Sequence, residues 1–117
     1  MKKYDALAAL AALAQENRLD VFRLLVEAGP EGLSAGSVAN TLKIAPNALT
    51  FHLDRLREAG LVTVRRDGRS MIYAAQFDRM NALIGYLTEN CCQGRAEECA
   101  PAVRKTDVRV ARKKETV

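Results

Sequence analysis

Three sulfur-bearing side chains lie together near the end of this 117-residue chain: Cys91 and Cys92 are adjacent, and Cys99 follows after Gln93-Gly94-Arg95-Ala96-Glu97-Glu98. The sequence has no other cysteine. Thiolates select soft ions, and arsenic(III), thiophilic and carrying a lone pair, favours three sulfur ligands in a pyramid; the trio matches that stoichiometry. A structural zinc site wants a fourth ligand, and the single histidine, His52, lies far back in the chain, so zinc is disfavoured. Neighbouring residues at the end of a helix can turn both sulfurs to one side, and Gly94 provides a hinge for returning Cys99. Two other uses stay open. Cys91 and Cys92 can be small hydrophobes finishing a helix, with Cys99 incidental. The thiols can also form a redox switch through a disulfide to Cys99, since adjacent cysteines make only strained bridges. The expected ligand at Cys91, Cys92 and Cys99 is As(III), with Sb(III) not distinguished from it, and no organic cofactor is expected.

A second group of chemically capable residues falls between Pro46 and Arg69. Leu49, Leu53 and Leu56 recur at i, i+4 and i+7, the core stripe of a helix that Pro46 can open and Gly60 can stop. With those leucines inward, Asn47 and Phe51 point outward and Thr50 lies on the flank. Asn47 suits an adenine edge, Thr50 a base edge or phosphate, and Phe51 a thymine methyl. An ordinary amphipathic surface helix carries the same pattern. What adds weight is the stretch that follows, Arg65-Arg66-Asp67-Gly68-Arg69, in which Arg65, Arg66 and Arg69 surround one turn and suit a phosphate backbone or a narrow minor groove. A solubilising loop is the plainer reading of those arginines. His52 sits at the edge of the leucine stripe, where packing or a hydrogen bond to phosphate suits it better than metal ligation.

The elements that must position these groups are legible from periodicity. The spacing predicts a helix from about Asp5 to Ala14, with Leu7, Leu10 and Leu13 at every third position and alanines between them. A second runs from about Glu16 to Ala28, with Leu19, Phe22, Leu25 and Val26 on one stripe and Gly29-Pro30 ending it. Ser34 can cap a short helix ending near Leu42, with Val38, Ala39 and Leu42 inward. A tight connection at Lys43-Ile44-Ala45 then leads into the Pro46 helix. From Leu61 to Ala75 the period becomes alternating around Asp67-Gly68, a strong hairpin signal. Residues 77 to 90 return to helical spacing through Phe77, Met80, Leu83, Ile84 and Leu87. The predicted fold is mainly α with a β-hairpin: helix, helix, helix-turn-helix, hairpin, helix. Residues 1–90 form one domain, and 91–117 a sensing segment followed by a flexible basic tail.

Composition sets the class. Hydrophobic residues make up 49% and charged residues 27%, ordinary for globular proteins. With no tryptophan, the core must be aliphatic. The net charge of +4 points toward nucleic acid, yet residues 1–100 hold equal numbers of acidic and basic side chains and the whole excess lies in 101–117. Met1-Lys2-Lys3 before an alanine-rich run has the outline of a signal peptide, but Asp5 interrupts it and no cleavage site follows. No run approaches the ~18 apolar residues of a membrane span. The expectation is a cytoplasmic chain with no membrane partner, where thiols stay reduced. Without Cys-x-x-Cys, a nucleophile-base pair or a glycine-rich phosphate loop, an enzyme such as a thiol-dependent reductase is disfavoured.

Taken in order, Leu13-Ala14-Gln15-Glu16-Asn17-Arg18-Leu19, Thr50-Phe51-His52-Leu53-Asp54-Arg55-Leu56 and Glu58-Ala59-Gly60-Leu61-Val62 resemble the LA-x-x-x-RL, [ST]-x-HL-x-x-L and EAGLV patterns of the ArsR/SmtB family of arsenic- and metal-responsive repressors. The resemblance covers about residues 5 to 92. It implies a winged helix-turn-helix, a homodimer formed by the first and last helices, double-stranded operator DNA as partner, and ligand binding that lowers affinity for DNA. Two site layouts of the family are missing: residues 34–42 hold no cysteine, and the last helix lacks the His/Asp ligands of zinc sensors.

Overall fold

Alanine-rich sequence with high helix propensity opens the chain, and in the computed structural model, which describes residues 1–90, it forms α1 (Lys3–Leu13). Asp5 accepts a hydrogen bond from the Lys2 amide at 3.3 Å, which places a carboxylate at the positive end of the helix dipole. Helix α2 (Glu16–Ala28) begins where the Gln15 side chain accepts from the Arg18 amide at 2.9 Å and ends at Gly29 in a positive-φ conformation. Helix α3 (Ala35–Leu42) is capped by Ser34, whose hydroxyl accepts from the Ser37 amide at 3.1 Å. Lys43 closes it in the left-handed region, making the tight turn into α4 (Pro46–Glu58), which has proline in its first turn.

The strands are β1 (Leu33–Ser34), β2 (Val62–Asp67) and β3 (Ser70–Ala75), followed by α5 (Phe77–Leu87). They form an antiparallel sheet in the order β1-β3-β2. Asp67 pairs with Ser70, so the hairpin tip is Gly68-Arg69, with φ +64° at Gly68. Glycine at the first central position is the arrangement of a II′ turn, one residue on from the Asp67-Gly68 tip the sequence suggests. Residues Met1–Tyr86 form one compact unit. Among the described residues no helix is long and apolar enough to cross a membrane.

The core is mostly aliphatic, with Phe22 the one aromatic among its buried hydrophobic residues. Val21, Phe22 and Leu25 of α2, Val38 of α3, Leu49, Leu53 and Leu56 of α4, and Leu61 and Val62 leading into the hairpin are all buried. The leucine stripe of α4 faces the interior as its spacing predicts. Two sequence expectations are corrected, the inward stripe of α2 and the end of the last helix, and the structure adds which face of α1 is inward and a short first strand. In α1 the buried residues are Ala6, Ala9 and Ala12, while Leu7 and Leu10 are exposed: the small side chains let the helix backbone approach α2 and α4, and the leucines turn outward. In α2 Val21 takes the inward place expected of Leu19, which is exposed. The two-residue β1 does not register in the sequence pattern, because Ser34 reads only as a helix cap; it pairs with Ile72 and caps α3 at once. The last helix ends at Leu87, three residues short of the expected end.

Candidate nucleic-acid interface

The outer face of α4 carries Asn47, Thr50 and Phe51, all exposed. They follow from the placement of Leu49, Leu53 and Leu56: burying that stripe forces the intervening positions toward solvent. Asn47 Oδ1 accepts from the Ala48 amide at 3.0 Å, which leaves the amide nitrogen as donor and one oxygen lone pair. Thr50 Oγ1 donates to the Pro46 carbonyl at 3.0 Å. With its proton committed there, the hydroxyl presents lone pairs outward, which match an amino group on a base edge better than a phosphate oxygen. Phe51 is 53% exposed and offers an apolar surface beside the two polar groups.

Two further residues of α4 shape this face. The Arg55 guanidinium lies over the Phe51 ring, 5.0 Å from its centroid, and ion-pairs with Glu58 at 3.2 Å. Arg57 pairs with Asp54 at 3.5 Å. Exposed pairs of this kind add little stability; their effect here is to offset two carboxylates that would otherwise repel a phosphate backbone. Phe51 and Arg55 stand four apart on the helix, the spacing that brings side chains together, so this pair was detectable from sequence although it was not singled out.

His52 parts from the other three. It is 8% exposed and faces inward beside the core leucines, its ring edge-on to Phe51 at 5.8 Å between centroids. Of the roles open to it from sequence, this placement favours packing. Its Nδ1 is buried without a hydrogen-bond partner among the described residues. Burial, with the Arg18 guanidinium adding to it, pushes the imidazole below its ordinary value of 6.5, so at neutral pH it is uncharged. Arg18 itself is held by the Ala12 carbonyl, to which its Nε donates at 2.7 Å.

The chain leaves α4 at Glu58 and enters the hairpin at Val62, so only a short connection separates α4 from the hairpin that bears the arginines. The three arginines there are not equivalent. Arg66 and Arg69 are exposed, with no side-chain hydrogen bond or ion pair among the described residues. Arg65 instead donates to the Glu31 carbonyl at 2.8 Å. Cys91, Cys92 and Cys99 lie outside the described residues. Among the described residues no cluster of His, Cys, Asp or Glu is arranged to hold a metal ion.

Comparison with known proteins places this geometry in context. The helix-turn-helix domain family matches residues 13–65. The transcriptional activator HlyU of Vibrio cholerae is 32% identical over 88 residues, covering 75% of this chain and 79% of HlyU. A solved structure of HlyU superposes with a TM-score of 0.62 at 32% identity, over 80% of this chain and all of that one; another, described as reduced HlyU, gives 0.59 at 28% identity, covering 77% and 92%. An ArsR-like transcriptional regulator from Rhodococcus sp. RHA1 superposes at 0.68 with 26% identity, covering 80% and 86%. A Halobacterium salinarum chain named as a candidate arsenical resistance operon repressor, ArsR, is 42% identical over 60 residues, covering 51% of this chain and 46% of its own. With the HlyU match spanning most of both chains and solved relatives superposing over most of their length, this chain belongs to the ArsR/SmtB family of winged helix-turn-helix transcriptional regulators.

Proposed function

We propose that the protein is a dimeric repressor that holds operator DNA through α4 and the hairpin wing and releases it when As(III) is taken up by Cys91, Cys92 and Cys99. The observation that carries the DNA half is the outward set Asn47, Thr50 and Phe51 on a helix followed closely by a wing with two arginines that have no hydrogen bond or ion pair among the described residues. Support for the sensing half is chemical: three thiols in nine residues suit a three-coordinate soft ion, and one partial relative is named for arsenical resistance. Dimerisation is supported by the outward apolar face of α1, where Tyr4 is 77% and Leu7 52% exposed.

The test is a gel-shift titration of the region upstream of the protein's own gene, with and without arsenite. Replacing Cys92 by Ser is expected to leave the shifted band intact and abolish its loss on adding arsenite. Undiminished release in that variant refutes the assignment of the site.

A second reading, a thiol-redox repressor, is favoured by the relative whose structure is described in a reduced form. It predicts release by a mild oxidant and recovery with dithiothreitol in the absence of arsenite, whereas the arsenite reading predicts release under fully reducing conditions.

A further inference from the structure

Arg65 belongs to β2, at one edge of the sheet, yet its guanidinium reaches the carbonyl of Glu31, in the chain that enters β1 at the opposite edge. Its register partner on the central strand is Ile72, and Ile72 in turn faces Ser34 of β1. Two strand spacings separate the edges, roughly 9.5 Å, a span only a long side chain with a donor at its end can bridge. The Arg65 side chain is therefore a strap laid across one face of the sheet.

The point it grips is already tight. Gly32, next to the acceptor, has φ +72°, and a Cβ there would collide with the Tyr73 carbonyl. The pairs Leu33 with Tyr73 and Ser34 with Ile72 complete the joint. Together these features fasten the middle of the hairpin to the connection between α2 and α3, which is part of the same helical body that carries α4. Arg66 and Arg69, further out on the hairpin, have no such tie.

We infer that Arg65 is a positioning residue: it sets the angle of the wing so that Arg66 and Arg69 meet the phosphate backbone while α4 lies in the groove, and it is not itself a phosphate contact. The inference rests on the DNA-binding reading of α4 and the wing. A reading helix and a wing must engage one duplex at the same time, and a loose joint between them would have to be ordered on every binding event, at the expense of affinity. A phosphate contact, by contrast, displaces a counterion and is read in the salt dependence.

The experiment follows binding of a fluorescein-labelled duplex from the region upstream of the protein's own gene, by anisotropy over a range of salt concentrations. R66Q and R69Q are each expected to lower the slope of log affinity against log salt by about 1. R65Q, and equally R65L, is expected to weaken binding about fivefold at every salt concentration with the slope unchanged. In an R66Q/R69Q background the R65Q loss should shrink toward nothing, because the wing then has little to position. A fall in slope for R65Q as large as that for R66Q, or an undiminished R65Q loss in the double background, overturns the inference. If N47A, R66Q and R69Q all leave DNA retention unchanged, the DNA-binding reading itself fails, and the strap's role fails with it.

Discussion

Helix α4 buries Leu49, Leu53 and Leu56 and turns Asn47, Thr50 and Phe51 outward, whereas α1 buries Ala6, Ala9 and Ala12 and turns Tyr4, Leu7 and Leu10 outward. The first is amphipathic in the ordinary sense, with its large apolar groups in the core. In the second the small residues face the core and the large ones face away. A helix apolar on every side is normally covered on every side. The two outer faces therefore differ in what they offer: α4 exposes hydrogen-bonding groups, as the proposed DNA contact requires, and α1 exposes apolar area, as the proposed dimer requires.

The comparison can be broken most forcefully at the buried stripe of α4. Leu53→Ala is expected to cost about 2–5 kcal/mol in a urea melt, while Leu10→Ala on α1, measured at dilutions where the chain is monomeric, should cost less than about 0.5 kcal/mol. Equal losses would mean that the α1 leucines belong to the core after all. Next in size is self-association: Leu7→Lys should weaken the dimer at least about tenfold by analytical ultracentrifugation, and an unshifted sedimentation profile would remove α1 from the interface. On the other helix, Asn47→Ala should weaken operator binding about tenfold with its melting midpoint unchanged, which separates a reading residue from a structural one.

The smallest expected effect is at His52. Its imidazole titrates below 6.5 in the folded chain because of burial and Arg18, so well above pH 6.5 neither state binds the proton and full stability is present. As pH falls through 6.5 the unfolded chain takes up a proton that the folded chain refuses, and stability declines until the folded imidazole also titrates. His52→Gln should remove that part of the decline in melts taken between neutral and mildly acid pH; an identical profile would show that the histidine is not the group responsible.

Much of the architecture was readable because local signals agreed with one another. Ser34 caps a helix, Pro46 opens one, and Gly68 turns a hairpin for reasons confined to a few residues. The outward trio of α4 followed from the leucine period alone. The strand β1 was not legible: two residues carry no period, and it exists because β3 is there to pair with it. Nor could spacing show which face of α1 meets the core, since both alternatives are apolar and only the approach distance to α2 and α4 favours alanine over leucine. That Arg65 differs from Arg66 and Arg69 in having a carbonyl partner was hidden for a similar reason, since its acceptor lies 34 residues away in the chain.

By itself, then, the order of residues determined the five helices and the hairpin, the outward face of α4 and the supply of three thiols, because caps, turns and apolar periods act over short stretches of chain. Tertiary structure decided what no local pattern encodes: that alanines rather than leucines of α1 face inward, that His52 is enclosed, and that one wing arginine is tied to Glu31. Those outcomes depend on which surfaces fit closely enough to exclude water, and that is settled only when distant segments meet.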